Sequence, residues 1–281
     1  MKCTFKKFLL EREIQVHDNV SITKILDTKI WNSLYERIKS IVNGNDSDQE
    51  YRTLKSLAYK SLTTVPEMEE YLRSTFGDDL AASSEYKEEN SKYKALLQKI
   101  ASYVEQSNKW KSENSGAWFH FIRSGKRENS HKTTKWYGTL KDRKVDSIKV
   151  VSNILYEISK LQSEYEVQLK VPGSYGAFLL HADSVVIHFH DPNLKDEINK
   201  VMSKFSSSFS NRARLNRTDF GTDDKAFIDG SDSMIIAEKF TETVKKNINV
   251  FKKYFEQKDK KEISKIFLSI LNTIMFKSTH R

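Results

Sequence analysis

The chain of 281 residues is long enough for one large or two modest domains, and its formal net charge of +9 fits a polyanionic partner, a phosphorylated substrate or lysine-rich solvated faces. A hydrophobic content of 38%, with 16 Phe, 12 Tyr and 4 Trp, excludes a disordered chain, while only 9 Gly and 3 Pro disfavour a turn-rich all-β sandwich. The single Cys3 excludes an internal disulfide and a thiolate zinc cluster, and no apolar run approaches the ~18 residues of a membrane-spanning helix.

Apolar residues recur at helical spacing through the N-terminal part of the chain. A first helix is predicted over residues 22–41, after Ser21 as a candidate N-cap. A second begins at Pro66, since proline is well tolerated in a first turn, and the helical pattern continues over residues 92–106. These helices contain no recognisable motif. The sequence therefore predicts a helical N-terminal subdomain over residues 1–112.

The pattern then changes to an alternation of strands and helices. WFHFIR, residues 118–123, predicts a short strand that is rich in aromatic residues. In the next predicted strand, Lys135 and Tyr137 share one face and Trp136 lies on the other, because side chains alternate along a strand.

A helical pattern over residues 145–162 leads to YEVQLKV, a strand with clean alternation. Its apolar residues face the core, so Lys170 is expected to point the opposite way. The stretch HADSVVIHFH, residues 181–190, predicts the next strand. His181 is an odd number of residues from His188, which places it on the opposite face unless a bulge intervenes.

A polar segment over residues 206–233 follows a further helix and carries Arg212, Arg214 and Arg217. Such a long loop in a compact domain is more often functional or mobile than accidental. Two helices close the chain. Helices packed on a mostly antiparallel sheet make an α+β fold, with a second domain predicted over residues 113–281.

A metal site and a nucleotide site have weak support in the sequence. His188 and His190 could ligate a metal together, but further ligands such as His120, His131 or Asp183 lie on other elements. A metal site is therefore the less favoured interpretation of these histidines. Glycine-rich nucleotide motifs and a GxSxG elbow are missing, and no recognisable nucleic-acid module accompanies the positive charge. Nucleic-acid binding ranks behind an anion pocket.

Polar side chains on three predicted strands form the strongest candidate site: Lys135 with Tyr137, then Lys170, then His188. If the strands are neighbours, these groups and the loop arginines could converge on one phosphate-sized anion. Arginine binds phosphate in a bidentate manner, and a lysine crowded among cations loses proton affinity and can act as a base near neutral pH. The alternative is that each lysine decorates a solvated strand face.

A series of short motifs, in this order, resembles the HopA family of bacterial proteins: KWYG, QLKVP, HADSVVIHF, RTDFG and IIAE. That family includes type III secreted effectors, and related lyase components occur in lanthipeptide biosynthesis. Its fold is similar to that of the OspF/SpvC phosphothreonine lyases. The resemblance covers about residues 115–240.

The resemblance implies a lyase that removes phosphate from phosphoserine or phosphothreonine in a peptide or protein, by β-elimination and without a metal or cofactor. Lys170 matches the lysine that acts as the base in these lyases. Lys135 matches the lysine that stabilises the enolate-like intermediate. The candidate phosphate ligands are Arg123, His181, Arg212, Arg214 and Arg217.

Three positions depart from the pattern of those families. Tyr137 stands where the phosphothreonine lyases have their general-acid histidine, and His188 stands where the family usually has tyrosine. His181 stands where HopA-like sequences often have arginine. We expect the general acid to be either His188 or Tyr137. The alternative is a non-catalytic secreted effector or phosphopeptide-binding module that uses the same basic groove.

The partners implied by these hypotheses are a phosphorylated peptide or protein and, in peptide maturation, a kinase that supplies it. No membrane is expected as a partner. The expected location is the bacterial cytoplasm, or a host cell if the protein is a secreted effector.

Overall fold

An α+β fold, as expected from the sequence, is seen in the computed structural model. The structure describes these residues: 29–64, 66–126, 134–181, 183–191, 193–209, 213–214, 217–218, 220–223 and 232–279.

Antiparallel strands form a six-stranded sheet. The described residues contain eight strands, six of which form this sheet: β1 Trp110–Ser115, β2 Trp118–Arg123, β3 Thr134–Gly138, β4 Val167–Pro172, β5 Val185–Phe189, β6 Ala213–Arg214, β7 Arg217–Thr218 and β8 Phe220–Asp223. Their order in the large sheet is β1–β2–β4–β5–β3–β8, and each neighbouring pair is antiparallel. Strands β6 and β7 pair with each other in a separate two-stranded sheet.

Helices occupy most of the remaining described chain. They are α1 Lys29–Val42, α2 Asp48–Thr63, α3 Pro66–Phe76, α4 Ser84–Glu105, α5 Val150–Ser159, α6 Tyr175–Leu180, α7 Leu194–Ser203, α8 Asp232–Lys246, α9 Ile248–Gln257 and α10 Lys260–Thr279. Short 3-10 turns cover Val145–Lys149 and Ser206–Ser208. Among the described helices, none has both the length and the apolar character that a membrane span requires.

One face of the six-stranded sheet is apolar and packs in a core with α4 and α5. Leu169 of β4 lies between Phe121 of β2 and Ile187 of β5 in the register, and all three are fully buried. Helix α4 begins after Ser83, whose hydroxyl accepts a hydrogen bond of 3.2 Å from the backbone N–H of Tyr86. Truncating one such core residue to alanine costs about 2–5 kcal/mol, so this face fixes which side of each strand remains for polar groups.

The chain divides into two compact units, and the division differs from the expected one at residue 112. One unit contains α1 and α2 together with α8, α9 and α10, and its core includes Leu34, Ile38, Phe240 and Phe267. The other contains the six-stranded sheet with α3 to α7. The apolar stripes of the first and last helices complete one core, so helices from the two ends of the sequence pack together.

Candidate active site

The second face of the six-stranded sheet carries the candidate site. Residues directly opposite each other in an antiparallel pair point to the same side of a sheet. Lys170 of β4 lies opposite His120 of β2 on one side and Val186 of β5 on the other. His188, two residues beyond Val186, lies opposite Lys135 of β3. These side chains therefore share the face of the sheet opposite the apolar core.

Four of these residues form what we call the His–Lys row: His120, Lys170, His188 and Lys135. They come from the neighbouring strands β2, β4, β5 and β3 and form two pairs: Lys170 lies opposite His120, and His188 lies opposite Lys135, with the second pair offset from the first by two residues along the strands. Neighbouring strands lie about 4.8 Å apart and two residues span about 7 Å along a strand, which places His120 and Lys135 roughly 16 Å from each other at the backbone. Long lysine side chains can span much of that distance.

Tyr137 extends the site beside the His–Lys row. It is two residues from Lys135 on β3, so it faces the same side, and it lies opposite Val186 of β5. The side chains of Tyr137, Lys170 and His188 are half-buried, whereas Lys135 is only 4% exposed. The expected grouping of Lys135, Tyr137, Lys170 and His188 on one face is therefore present in the structure.

Two imidazoles of the row have a buried ring nitrogen without a hydrogen-bond partner among the described residues. Nδ1 of His120 and Nε2 of His188 are buried and have no hydrogen-bond partner within the described ranges. Burial lowers the pKa of His120, and Lys170 lowers it further, against an opposing effect of Glu113. Burial also lowers the pKa of His188 well below its usual range, and Lys170 and Lys135 add to this shift. Both rings are therefore neutral at neutral pH.

An indole ring lies beside the base candidate. The Nζ atom of Lys170 is 4.6 Å from the centroid of the Trp118 ring, within the range of a cation–π contact. The His181 ring centroid lies 5.0 Å from that of Trp118. Burial lowers the pKa of His181, and Lys170 and Arg143 act in the same direction while Asp183 opposes them. The Trp118 ring thus contacts both Lys170 and His181, the expected phosphate ligand.

His181 reaches this position from a helix end, which corrects the expected strand over residues 181–190. Helix α6 begins after Ser174, whose hydroxyl accepts a hydrogen bond of 3.2 Å from the Ala177 N–H. The His181 N–H closes the helix with a bond of 2.8 Å to the Ala177 carbonyl, and the strand begins only at Val185. Alternation along a strand therefore does not determine the direction of His181.

Arg143 fixes the connection between α6 and β5. Its Nη1 donates to the backbone carbonyls of Phe178 and His181, at 2.7 and 3.1 Å, and to the hydroxyl of Ser184. Ser184 in turn accepts a hydrogen bond of 3.1 Å from the Leu140 N–H. This network holds the start of β5 and the end of α6 in place beside Trp118.

Arg123 is not part of this face, which corrects its expected role as a phosphate ligand. It is three residues from His120 on β2, so it points to the opposite side of the sheet. Its Nη1 donates to the carbonyls of Ile158 and Leu161, at 3.1 and 3.0 Å, at the end of α5. With 5% exposure, Arg123 is a buried cap for that helix end.

The loop arginines remain untested as phosphate ligands. Arg212 lies outside the described residues. Arg214 ends β6 and Arg217 begins β7, and their side chains are also outside what the structure describes. Their proposed contact with phosphate stays a prediction.

His120 and Trp118 are functional candidates that the sequence interpretation left unassigned to the anion pocket. Both lie in WFHFIR, where Phe119 and Phe121 face the core and Trp118 and His120 alternate with them. The same alternation rule that placed Lys170 would have placed them on the polar face. Alternation does not predict that β2 pairs with β4, so the sequence could not place His120 beside Lys170.

The set of donors at this face suits an anion. Within the described part of the chain, no group of three or more histidine, cysteine, aspartate or glutamate side chains could hold a metal ion, and His131 lies outside it. Lysines and protonatable imidazoles can donate hydrogen bonds to phosphate oxygens. The chain was compared with family models, curated proteins and solved structures, and none of them matches it.

Proposed function

We propose that the chain is a HopA-like lyase that eliminates phosphate from phosphoserine or phosphothreonine in a peptide or protein, with Lys170 as base and Lys135 as intermediate stabiliser. The observation that supports this best is the placement of Lys170 and Lys135 on one face, on β4 and β3, with His188 on the intervening β5. The backbones at Lys170 and Lys135 are about 12 Å apart, so both side chains can reach one phosphorylated residue between them.

The proposed reaction is a β-elimination in which two protons are transferred, a carbon–carbon double bond forms and one carbon–oxygen bond breaks. The neutral amine of Lys170 takes the α-proton of the phosphorylated residue. The ammonium group of Lys135 stabilises the negative charge that develops on the adjacent carbonyl oxygen. The electron pair forms a carbon–carbon double bond, the bond from the β-carbon to the phosphate oxygen breaks, and an acid protonates the departing phosphate. The products are a dehydroamino acid and inorganic phosphate.

Two residues remain candidates for the acid. Tyr137 and His188 both lie beside Lys135 on this face, Tyr137 on the same strand and His188 across from it. A phenol can donate its own proton directly, whereas the pKa of His188 is lowered by burial, so this ring must first gain a proton to act as a strong acid. Replacing Tyr137 by Phe or His188 by Gln distinguishes them, because loss of the acid lowers kcat.

The test of the proposed function is mass spectrometry of phosphothreonine and phosphoserine peptides incubated with the protein. We expect a product that is lighter than the substrate by one phosphoric acid. Lys170→Ala should abolish this product while the fold, measured by circular dichroism, is kept. Lys111→Ala is the matched control, because Lys111 lies on the exposed edge strand β1 and faces the same side, opposite Ile122.

A non-catalytic module for phosphorylated ligands is the second candidate. The buried imidazole nitrogens of the His–Lys row support it, since they would suit a bound anion whether or not turnover follows. This candidate predicts saturable phosphopeptide binding with no dehydrated product from any peptide. A nucleic-acid partner would instead show affinity for oligonucleotides that falls log-linearly with salt.

The proposed substrate implies a kinase that phosphorylates the peptide or protein before elimination. In peptide maturation both proteins would act in the bacterial cytoplasm, whereas an effector would act on a phosphoprotein of the host cell. Identification of the phosphorylated partner by the mass-spectrometric assay would separate these two settings.

A further inference from the structure

We propose that His120 and His188 are ligands of a phosphoryl dianion that binds beside Lys170, and that the two rings together take up about one proton when the dianion binds. This proposal rests on the proposed function for the place of the phosphate, but it does not require turnover. The ligand class is a tetrahedral dianion, as in a phosphate monoester or sulfate.

The first step is the position of two unsatisfied imidazoles. His120 and His188 flank Lys170, one on β2 and the other on β5. Each buries one ring nitrogen that lacks a hydrogen-bond partner among the residues described. Buried polar atoms are nearly always satisfied in folded proteins, so two such nitrogens around one lysine point to a ligand that completes them.

The second step concerns the groups around His188. Lys135 faces it from β3, Lys170 lies diagonally on β4, and His190 follows it in the chain. Tyr137 is the other titratable residue of β3 on this face. Lys170, Lys135, His120 and His190 all oppose a proton on His188, and the acidic residue Asp223 of β8 lies opposite Lys135 on its other side.

The third step concerns the groups around His120. Glu113 faces it from β1 and Lys170 from β4. The exposed Glu113 favours the charged ring, whereas burial and Lys170 oppose it. His120 is therefore closer to balance than His188, and the two rings need different amounts of negative charge before they gain a proton.

A bound dianion reverses this balance. Two negative charges next to Lys170 offset the repulsion from the lysines, and the anion accepts a hydrogen bond from each protonated ring. The pKa of each imidazole is then higher in the complex than in the free protein. Linkage requires that an anion that raises these values must bind more tightly as the pH falls. The proton gained by His188 is also available for transfer to the departing phosphate.

Titration calorimetry with sulfate tests the proposal. Sulfate stays dianionic near neutral pH, so any proton taken up belongs to the protein, which inorganic phosphate would not allow. Measurements at pH 7 in two buffers of different protonation enthalpy give the number of protons. We expect uptake of about one proton per sulfate, and an affinity that rises up to about tenfold for each unit of pH decrease.

Variants assign the protons. His188→Gln and His120→Gln should each reduce the uptake and flatten the pH dependence of the affinity. Lys111→Ala, a change on the exposed edge strand β1, should leave both unchanged. Thermal denaturation without sulfate checks that each variant is folded at the temperature of the titration.

The outcomes separate this proposal from the proposed function. Sulfate binding with no net proton uptake overturns it, and so does a failure of the folded wild-type protein to bind sulfate. Uptake that is unchanged in both histidine variants also overturns it. Proton-coupled sulfate binding without a dehydrated peptide product would support the proposal and contradict only the lyase. A dehydrated product without proton uptake would contradict only the histidine proposal.

Discussion

Lys135 of β3 lies directly opposite His188 of β5, so a lysine that is 4% exposed faces an imidazole whose pKa is held well below its usual range by burial first and by Lys170 and Lys135 next. Lys135 and His188 therefore influence each other electrostatically. A substitution at either position therefore changes the electrostatics of the other.

We expect Lys135→Met to lower kcat by about 10²–10³-fold, because removing one group that stabilises developing negative charge typically has this effect. The substrate KM should change much less, since that charge appears only in the transition state. Steady-state kinetics on a phosphopeptide measure both parameters. Lys111→Ala should keep wild-type kinetics. A kcat for Lys135→Met within a factor of two or so of wild type would contradict the assigned role.

Trp118 is expected to position Lys170. The Trp118 ring lies beside the Lys170 side chain and restricts its position, so Trp118→Leu should lower kcat/KM by roughly tenfold, while Trp118→Phe should retain most of the activity because it keeps a ring. Tyr103→Leu is the control, since Tyr103 is an exposed aromatic side chain on α4. Equal losses in the Phe and Leu variants would show that the ring face is not what matters.

Arg123→Met is expected to destabilise the fold by about 2–4 kcal/mol without a change in sulfate affinity. The substitution leaves two buried carbonyls at the end of α5 without their charged donor. Urea unfolding measures the free energy, and calorimetry measures the affinity. Lys126→Ala, which removes an exposed ion pair with Glu164, should leave both nearly unchanged. A loss of sulfate affinity in a folded Arg123→Met protein would return Arg123 to the anion site.

The free energy of unfolding should fall as the pH decreases below about 6.5. The pKa of His188 is depressed in the folded protein, so the unfolded chain binds more protons in this range and is favoured. The effect is absent above the unfolded-state value and grows until the pH passes the folded-state value. Urea unfolding between pH 8 and pH 5.5 should show a smaller decrease for His188→Gln. His120 and His181 are depressed as well, so the variant should keep part of the slope.

The α+β class and the faces of individual strands could be predicted from the sequence. Alternation in YEVQLKV correctly placed Lys170 away from the core, because Val167, Leu169 and Val171 are buried in it. The same rule grouped Lys135 with Tyr137. These predictions succeed since a strand with one buried face has to expose every second residue.

Neighbour relations could not be predicted in the same way. Alternation states which face a residue takes but not which strand lies beside it, so the pairing of His120 with Lys170 was not foreseen. Strand β8, within the segment expected to be a loop, pairs with β3 and is set by that long-range contact. The helix end at His181 depends on the capping hydroxyl of Ser174 and on Arg143, which period-based reasoning does not weigh.

The strand order has a consequence for how the protein is made. Strand β3 pairs only with β5 and β8, which are synthesised much later, whereas β2 and β4 pair with each other earlier in the chain. Such non-local pairing forms slowly during folding. A nascent chain that ends before Val185 can already hold His120 next to Lys170, but Lys135 still lacks both of its partner strands. The two lysines therefore meet on one surface only after most of the domain has left the ribosome.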